Sequence, residues 1–280
     1  MFEVINGYGY DLLTIKKAHI KACIEYAKEK GIKGIYLWDW KYSGEDVSFL
    51  EKCPFIKEIN VNSRQIDCSN IFELIPELEY LTINKAKGIT DLEGVMLKGL
   101  SCSTKDVINL EGLTDLEELY LYDCNTVTKD LEIISALSNL RRLEINGGNI
   151  LSLAGIEKLE KLKSISIDGC RKLNSVSAIS QNKESLGSVR ISNCRCIKDY
   201  EQLGNLGGLR SLVLWNDGDI KSIQFVKNLH KLKHFVFTQT NIIDGNIAYC
   251  EGLEHVDFTN KKHYTHKNHD FNKTHDWWRS

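Results

Sequence analysis

The chain has 280 residues, 42% of them apolar, 26% charged and 9% aromatic, with a formal charge of −2. So even a balance gives no bulk attraction to nucleic acid or to an anionic membrane, and no stretch approaches the ~18 apolar residues of a membrane span. Nine cysteines, an odd count, together with an N-terminus (Met1 to Tyr10) that lacks a basic region followed by an apolar run, predict reduced thiols in a cytoplasmic protein and no disulfide framework.

Residues 1–31 read as an N-terminal helical cap. Asp11 is a suitable N-cap, Leu12, Ile15, Ala22, Cys23 and Tyr26 fall near one helical face, and Gly31 can end the helix. Lys16, Lys17, Lys21, Lys28 and Lys30 largely avoid that face.

Residues 32–260 repeat one pattern eleven times: apolar, two others, apolar, one other, apolar. The clearest copies are Leu78-x-x-Leu81-x-Ile83, Leu116-x-x-Leu119-x-Leu121, Leu140-x-x-Leu143-x-Ile145, Leu209-x-x-Leu212-x-Leu214 and Leu232-x-x-Phe235-x-Phe237; the others begin at Ile32, Ile56, Leu97, Leu162, Leu186 and Leu253. Starts lie 19 to 24 residues apart, the period of a stacked array in which each repeat buries its apolar side against its neighbours. Each copy ends in strict alternation, as in Leu119-Tyr120-Leu121-Tyr122, which predicts a strand. Upstream, apolar residues fall every third position, as in Ile150, Leu153, Ile156, Leu159 and Leu162. That spacing suits short 3₁₀ or extended arcs. A chain that returns to the same edge after every strand builds a parallel sheet.

The strand motif and the arc upstream of it resemble a leucine-rich repeat array of the 22-residue type, the class of protein-phosphatase regulatory subunits and bacterial internalins. The resemblance covers roughly residues 32 to 258 and implies an α/β solenoid of about eleven parallel strands. The family places Asn or Cys three residues beyond the last strand leucine; Cys124, Cys170 and Cys194 match, whereas Trp40, Arg64, Ala86, Lys105, Asp217, Thr240 and Lys261 do not. Loop closure is therefore least secure towards the ends.

Residues 261–280 form a polar and aromatic tail, expected to fold over the last strand through Tyr264, Phe271, Trp277 and Trp278. Its His263, His266, His269 and His275 are the alternative, a metal-dependent site or enzyme. The favoured reading assigns no metal and no cofactor.

No glycine-rich phosphate loop, G-x-S-x-G or H-E-x-x-H is present, so the reading is non-enzymatic. The informative surface is the exposed face of the sheet. One column of that face runs Tyr36, Asn60, Thr82, Ser101, Tyr120, Glu144, Ser166, Arg190, Val213, Val236, Asp257. The next runs Trp38, Asn62, Asn84, Ser103, Tyr122, Asn146, Asp168, Ser192, Trp215, Thr238, Thr259. Neither contains Lys, and aromatics stand among small polar residues, the composition of a protein-binding face. Tyr36, Trp38, Tyr120, Tyr122 and Trp215 are the expected anchors. Asp123, Glu144 and Asp168 are expected to draw a basic element of the partner, and Arg190 a carboxylate. The expectation is a monomeric module binding another protein, as an inhibitor, a regulator or a bacterial immunity protein that neutralises a toxin, with no nucleic acid or membrane as partner.

Overall fold

The computed structural model describes residues 2–182 and 184–271. They belong to two compact units, one comprising residues 1–122 and 136–140, the other 123–135 and 141–280. In the first, the strands Gly34–Trp38, Glu58–Asn62, Tyr80–Asn84, Gly99–Cys102 and, up to Tyr122, Glu118–Cys124 follow one another in parallel. The second has Arg142–Gly148, Ser164–Asp168, Ser188–Ser192, Ser211–Trp215, His234–Phe237 and His255–Phe258, also parallel and in chain order. All eleven expected strands form where the alternation falls.

Register is fixed by the buried alternate residues. Ile35, Ile59, Leu81, Leu100 and Leu119 lie side by side in the first unit, and Leu143, Ile165, Val189, Leu212, Phe235 and Val256 in the second. All are buried. A slip of one residue would turn each row to the opposite face, at roughly 1.5–3 kcal/mol per side chain. The every-third-residue signal also resolves as expected: arcs carry short 3₁₀ turns such as Ile156–Lys158 and Gln224–Asn228. Ile150, Leu153, Ile156, Leu159 and Leu162 are buried beneath them.

At most of the strand exits the second residue past the last apolar position turns left-handed. Asp123, Gly147, Gly169, Asn193, Asn216 and Gln239 all have φ between 51° and 73°. Gly, Asn and Asp tolerate this region best. One residue further, Cys124, Cys170 and Cys194 are buried as expected, but so are the supposed mismatches Asp217 and Thr240. Asp217 Oδ1 accepts from the Cys194 N–H (2.9 Å), and its own N–H donates to Thr240 Oγ1 (3.2 Å). These two polar side chains close the corner by bonding backbone of the adjacent repeat.

The N-terminal segment differs from the sequence reading. Asp11 caps no helix: Asp11–Thr14 is a strand, parallel to Gly34–Trp38 and flanked by the antiparallel strand Val4–Asn6. Leu12, Leu13, Thr14 and Ile15 are buried together, so the apolar run serves a strand and its exit. The helix α1 is shorter, Ile20–Lys30, and buries Cys23, Ile24 and Ala27. Gly31 does end it, in the left-handed region with φ 66°, its N–H returning to the carbonyls of Ala27 and Lys28. At the other end, the buried Tyr264 hydroxyl accepts from the Ile242 N–H (2.9 Å). Asn268 Nδ2 donates to Asp257 (2.6 Å) and to the Phe258 carbonyl (2.8 Å), and Phe271 meets Phe258 edge to face. His275, Trp277 and Trp278 lie outside the described residues.

Candidate protein-binding face

Strand alternation sets three columns of side chains on the non-core face. The sequence reading named two and missed the first, at the start of each strand: Gly34, Glu58, Tyr80, Gly99 and Glu118 in the first unit, Arg142, Ser164, Ser188, Ser211, His234 and His255 in the second. Extending the alternation by one step towards the N-terminus would have found it.

In the first unit this column is occupied by the chain itself. The segment Gly7–Tyr10, between the two N-terminal strands, crosses the face. Three successive N–H groups, of Tyr8, Gly9 and Tyr10, donate to the Glu58 carboxylate at 2.7, 2.9 and 2.8 Å. Glu58 is 1% exposed, and a buried carboxylate needs such donors to offset its lost hydration. Gly9 sits so close to the Tyr80 ring that a β-carbon would overlap it, and Gly99 bears the same relation to that ring. Tyr10 meets Tyr80 edge to face and donates through its hydroxyl to Glu79.

The predicted aromatic anchors divide accordingly. Tyr120 stacks with Tyr8 and its hydroxyl donates to Glu118 (2.8 Å). Tyr122 is half-buried, and its hydroxyl lies out of solvent with no partner among the described residues. The buried Ser101 and Ser103 of the preceding copy leave the room these rings fill. Tyr36 and Trp38 are half-buried and stack at 6.1 Å. They continue into Trp40, 84% exposed at 6.3 Å from Trp38, which the sequence reading treated only as a departure from the corner pattern.

In the second unit the tail meets the last strand, where Asn268 bonds Asp257, and the strands before it carry small polar side chains. Ser164, Ser188 and Ser211 lie in register as a small polar floor, beside Ser166 and the buried Ser192. Arg190, exposed and without an ion pair among the described residues, and Trp215, 38% exposed, lie in the neighbouring columns. The predicted carboxylates do not act as one group. Glu144 is bound by Arg142 at 2.6 Å, and Asp168 accepts from Asn193 Nδ2 at 2.7 Å. Asp123 occupies the left-handed corner beyond its strand. Asn193 Oδ1 in turn accepts from Asn216 Nδ2 (2.7 Å), and Arg195 donates to Asn216 Oδ1. This ladder borders a cavity of about 830 Å³ at the strand ends, with Arg171 on its rim.

Among the described residues the tail histidines His263, His266 and His269 each have different neighbours. His263 Nε2 bonds the Ile242 carbonyl (2.9 Å), and His266 lies between Thr265 Oγ1 and Glu251. His269 is beside Asp270. Among the described residues no three His, Cys, Asp or Glu side chains are grouped to hold a metal.

A parallel ladder repeated every 19 to 24 residues, returned by short arcs, most of them with a helical turn, and closed at buried corner residues, defines a leucine-rich-repeat solenoid. An internalin (inlF) from Listeria monocytogenes has this fold, with a TM-score of 0.59 and 18% identity over 85% of this chain and 71% of its own. Internalin C2 from the same organism aligns over 67% of this chain and 74% of its own, with 18% identity and a TM-score of 0.49. No family model matches the sequence, and no curated protein matches it. Among the described residues no helix is long and apolar enough to cross a membrane.

Proposed function

We propose that this chain is a non-enzymatic protein-interaction module that grips one partner protein on the strand face of its second unit. The supporting observation is that Arg190 and Trp215, both exposed, stand on adjacent strands beside the row of serines. Arg and Trp are the side chains that most often dominate interface energetics, and small floor residues let a partner approach the backbone closely. Arg190 pairs a partner carboxylate, while Trp215 supplies apolar area. Binding is the whole output, as in a stoichiometric inhibitor or regulator, and nine mostly buried cysteines with no disulfide among the described residues suit a reducing compartment such as the cytoplasm.

The test is a photo-crosslinking amino acid placed at Val213, on the face, and at Glu160, on the arc side, in extract of the native host. The expected result is one protein crosslinked from position 213 and not from 160. Its loss in the double variant Arg190→Ala/Trp215→Ala, with unchanged melting, assigns the face. Undiminished crosslinking by that variant would overturn the proposal.

A further inference from the structure

The repeat starting at Leu78 is one of the two shortest, with 19 residues to the next start at Leu97. Among the described residues every other return arc between parallel strands carries a helical turn, whereas the arc between Asn84 and Gly99 holds only the two-residue strand Thr90–Asp91. Three residues before each strand-opening leucine, neighbouring arcs place an apolar plug, Ile75 or Leu113; here the residue is Gly94. The missing turn leaves a notch of about 960 Å³ in the arc wall of the first unit. Its floor and sides are apolar: Phe72 and Pro76 from the preceding arc, Val95 and a 76%-exposed Met96 from the shortened one.

The rim is strongly acidic. Six carboxylates and two ammonium groups line the notch, a local surplus of four negative charges in a chain whose total is −2. Lys57 and Lys98 are already held by Glu77 (2.7 Å) and Glu79 (2.6 Å). Glu73, Glu93 and Asp115 make no ion pair among the described residues.

We propose that this notch is a docking site, separate from the strand face, for a short cationic amphipathic helix of a partner protein. One bulky apolar side chain of that helix takes the place of the absent arc plug against Met96 and Phe72, and flanking Lys or Arg residues meet Glu73, Glu93 and Asp115. Shape selects a helical turn because a helical turn is what the wall lacks. Charge selects a basic partner, since a neutral or acidic helix would leave the rim carboxylates unpaired as they lose water.

The chain contains two methionines, Met1 and Met96, so ¹³C-methyl-methionine labelling gives a probe inside the notch. The ligand probe is an amidated peptide of about 14 residues made of Leu and Lys in a helical i, i+3, i+4, i+7 pattern. Its counterpart replaces each Lys with Glu. The expected result is a saturable shift of the Met96 methyl signal with the Lys peptide alone. The exposed double variant Glu93→Lys/Asp115→Lys should raise Kd at least about tenfold, while Glu201→Lys, outside the notch, changes it by less than about twofold. A stationary Met96 signal, equal binding of the Glu peptide, or an equal loss from Glu201→Lys would each overturn the proposal.

Discussion

Tyr8 lies over Tyr120, ring centroids 4.6 Å apart and planes 27° from parallel. The aromatic that the repeat pattern offers to a partner is thus covered by the chain's own N-terminal loop. Anything reaching Tyr120 or Tyr80 on that face must first displace Gly7–Tyr10, and the three N–H bonds to Glu58 resist this.

Glu58→Ala removes the acceptor of all three bonds while the sheet around it stays paired. Once released, the loop amides regain water, so the expected cost is about 2–4 kcal/mol, with no larger collapse. Hydrogen exchange reads it: the Tyr8, Gly9 and Tyr10 amides lose protection while Ile165, Val189 and Leu212 keep theirs. Unchanged protection at Tyr8 to Tyr10 would show that packing on Tyr80 and Tyr120 holds the loop by itself.

Tyr122→Phe tests the opposite case, a buried hydroxyl with no partner among the described residues. Burial pushes this phenol well above its ordinary pKa, so it stays neutral, and its polar atom is a desolvation cost. The variant should match the parent or gain up to about 1 kcal/mol in urea unfolding. A loss of more than that would reveal a hydrogen bond the hydroxyl makes in solution.

Asp217 makes stability pH-dependent. Burial raises its pKa from 3.8 to about 7, against the smaller opposing effect of the N–H groups it accepts from. Between those two values the folded state binds more protons than the unfolded one. Stability from this group therefore falls as pH rises from about 4 to about 7, by up to ~1.4 kcal/mol per unit. Asp217→Asn, which retains a side-chain acceptor for the Cys194 N–H, should narrow the gap between urea midpoints at pH 5 and pH 8. An unaltered gap would place the pH dependence elsewhere.

Cys196 is exposed and the other eight cysteines are buried. Burial pushes the Cys68, Cys124 and Cys250 thiols up to about 12, and thiolate is the reactive form. A disulfide reagent at pH 8 should therefore consume about one thiol per folded chain, and all nine cysteines after unfolding. Rapid reaction of a second thiol in the folded protein would mean that a strand end opens.

The strands were legible because the alternate apolar residues are buried in every copy; Leu119 and Leu121 are buried as the pattern requires, and Tyr120 and Tyr122 point away from the core. Corner closure was only half legible. A pattern that admits Asn or Cys sees Cys194 but not Asp217, since an acid fits that position only once its neighbours' N–H groups are known to face it. The N-terminal strand was misread because Leu12, Leu13 and Ile15 suit either period in so short a run. The loop on the face was invisible for another reason. It rests on Glu58 and Gly9, more than 40 residues apart, and no local pattern links a lone carboxylate to distant backbone amides.

The strand pairs Leu81 with Leu100 and Thr82 with Ser101 keep full register across one of the two shortest repeats, as Leu143 and Ile165 do across one of 22 residues. The hydrogen-bonded side of the molecule therefore does not count residues. It demands one strand per lap and ignores how the lap is run. Insertions and deletions are absorbed entirely on the return path, where losing a turn leaves a dent in the wall and no fault in the ladder. Such a fold can acquire or lose contours on its back, repeat by repeat, while the front stays in step.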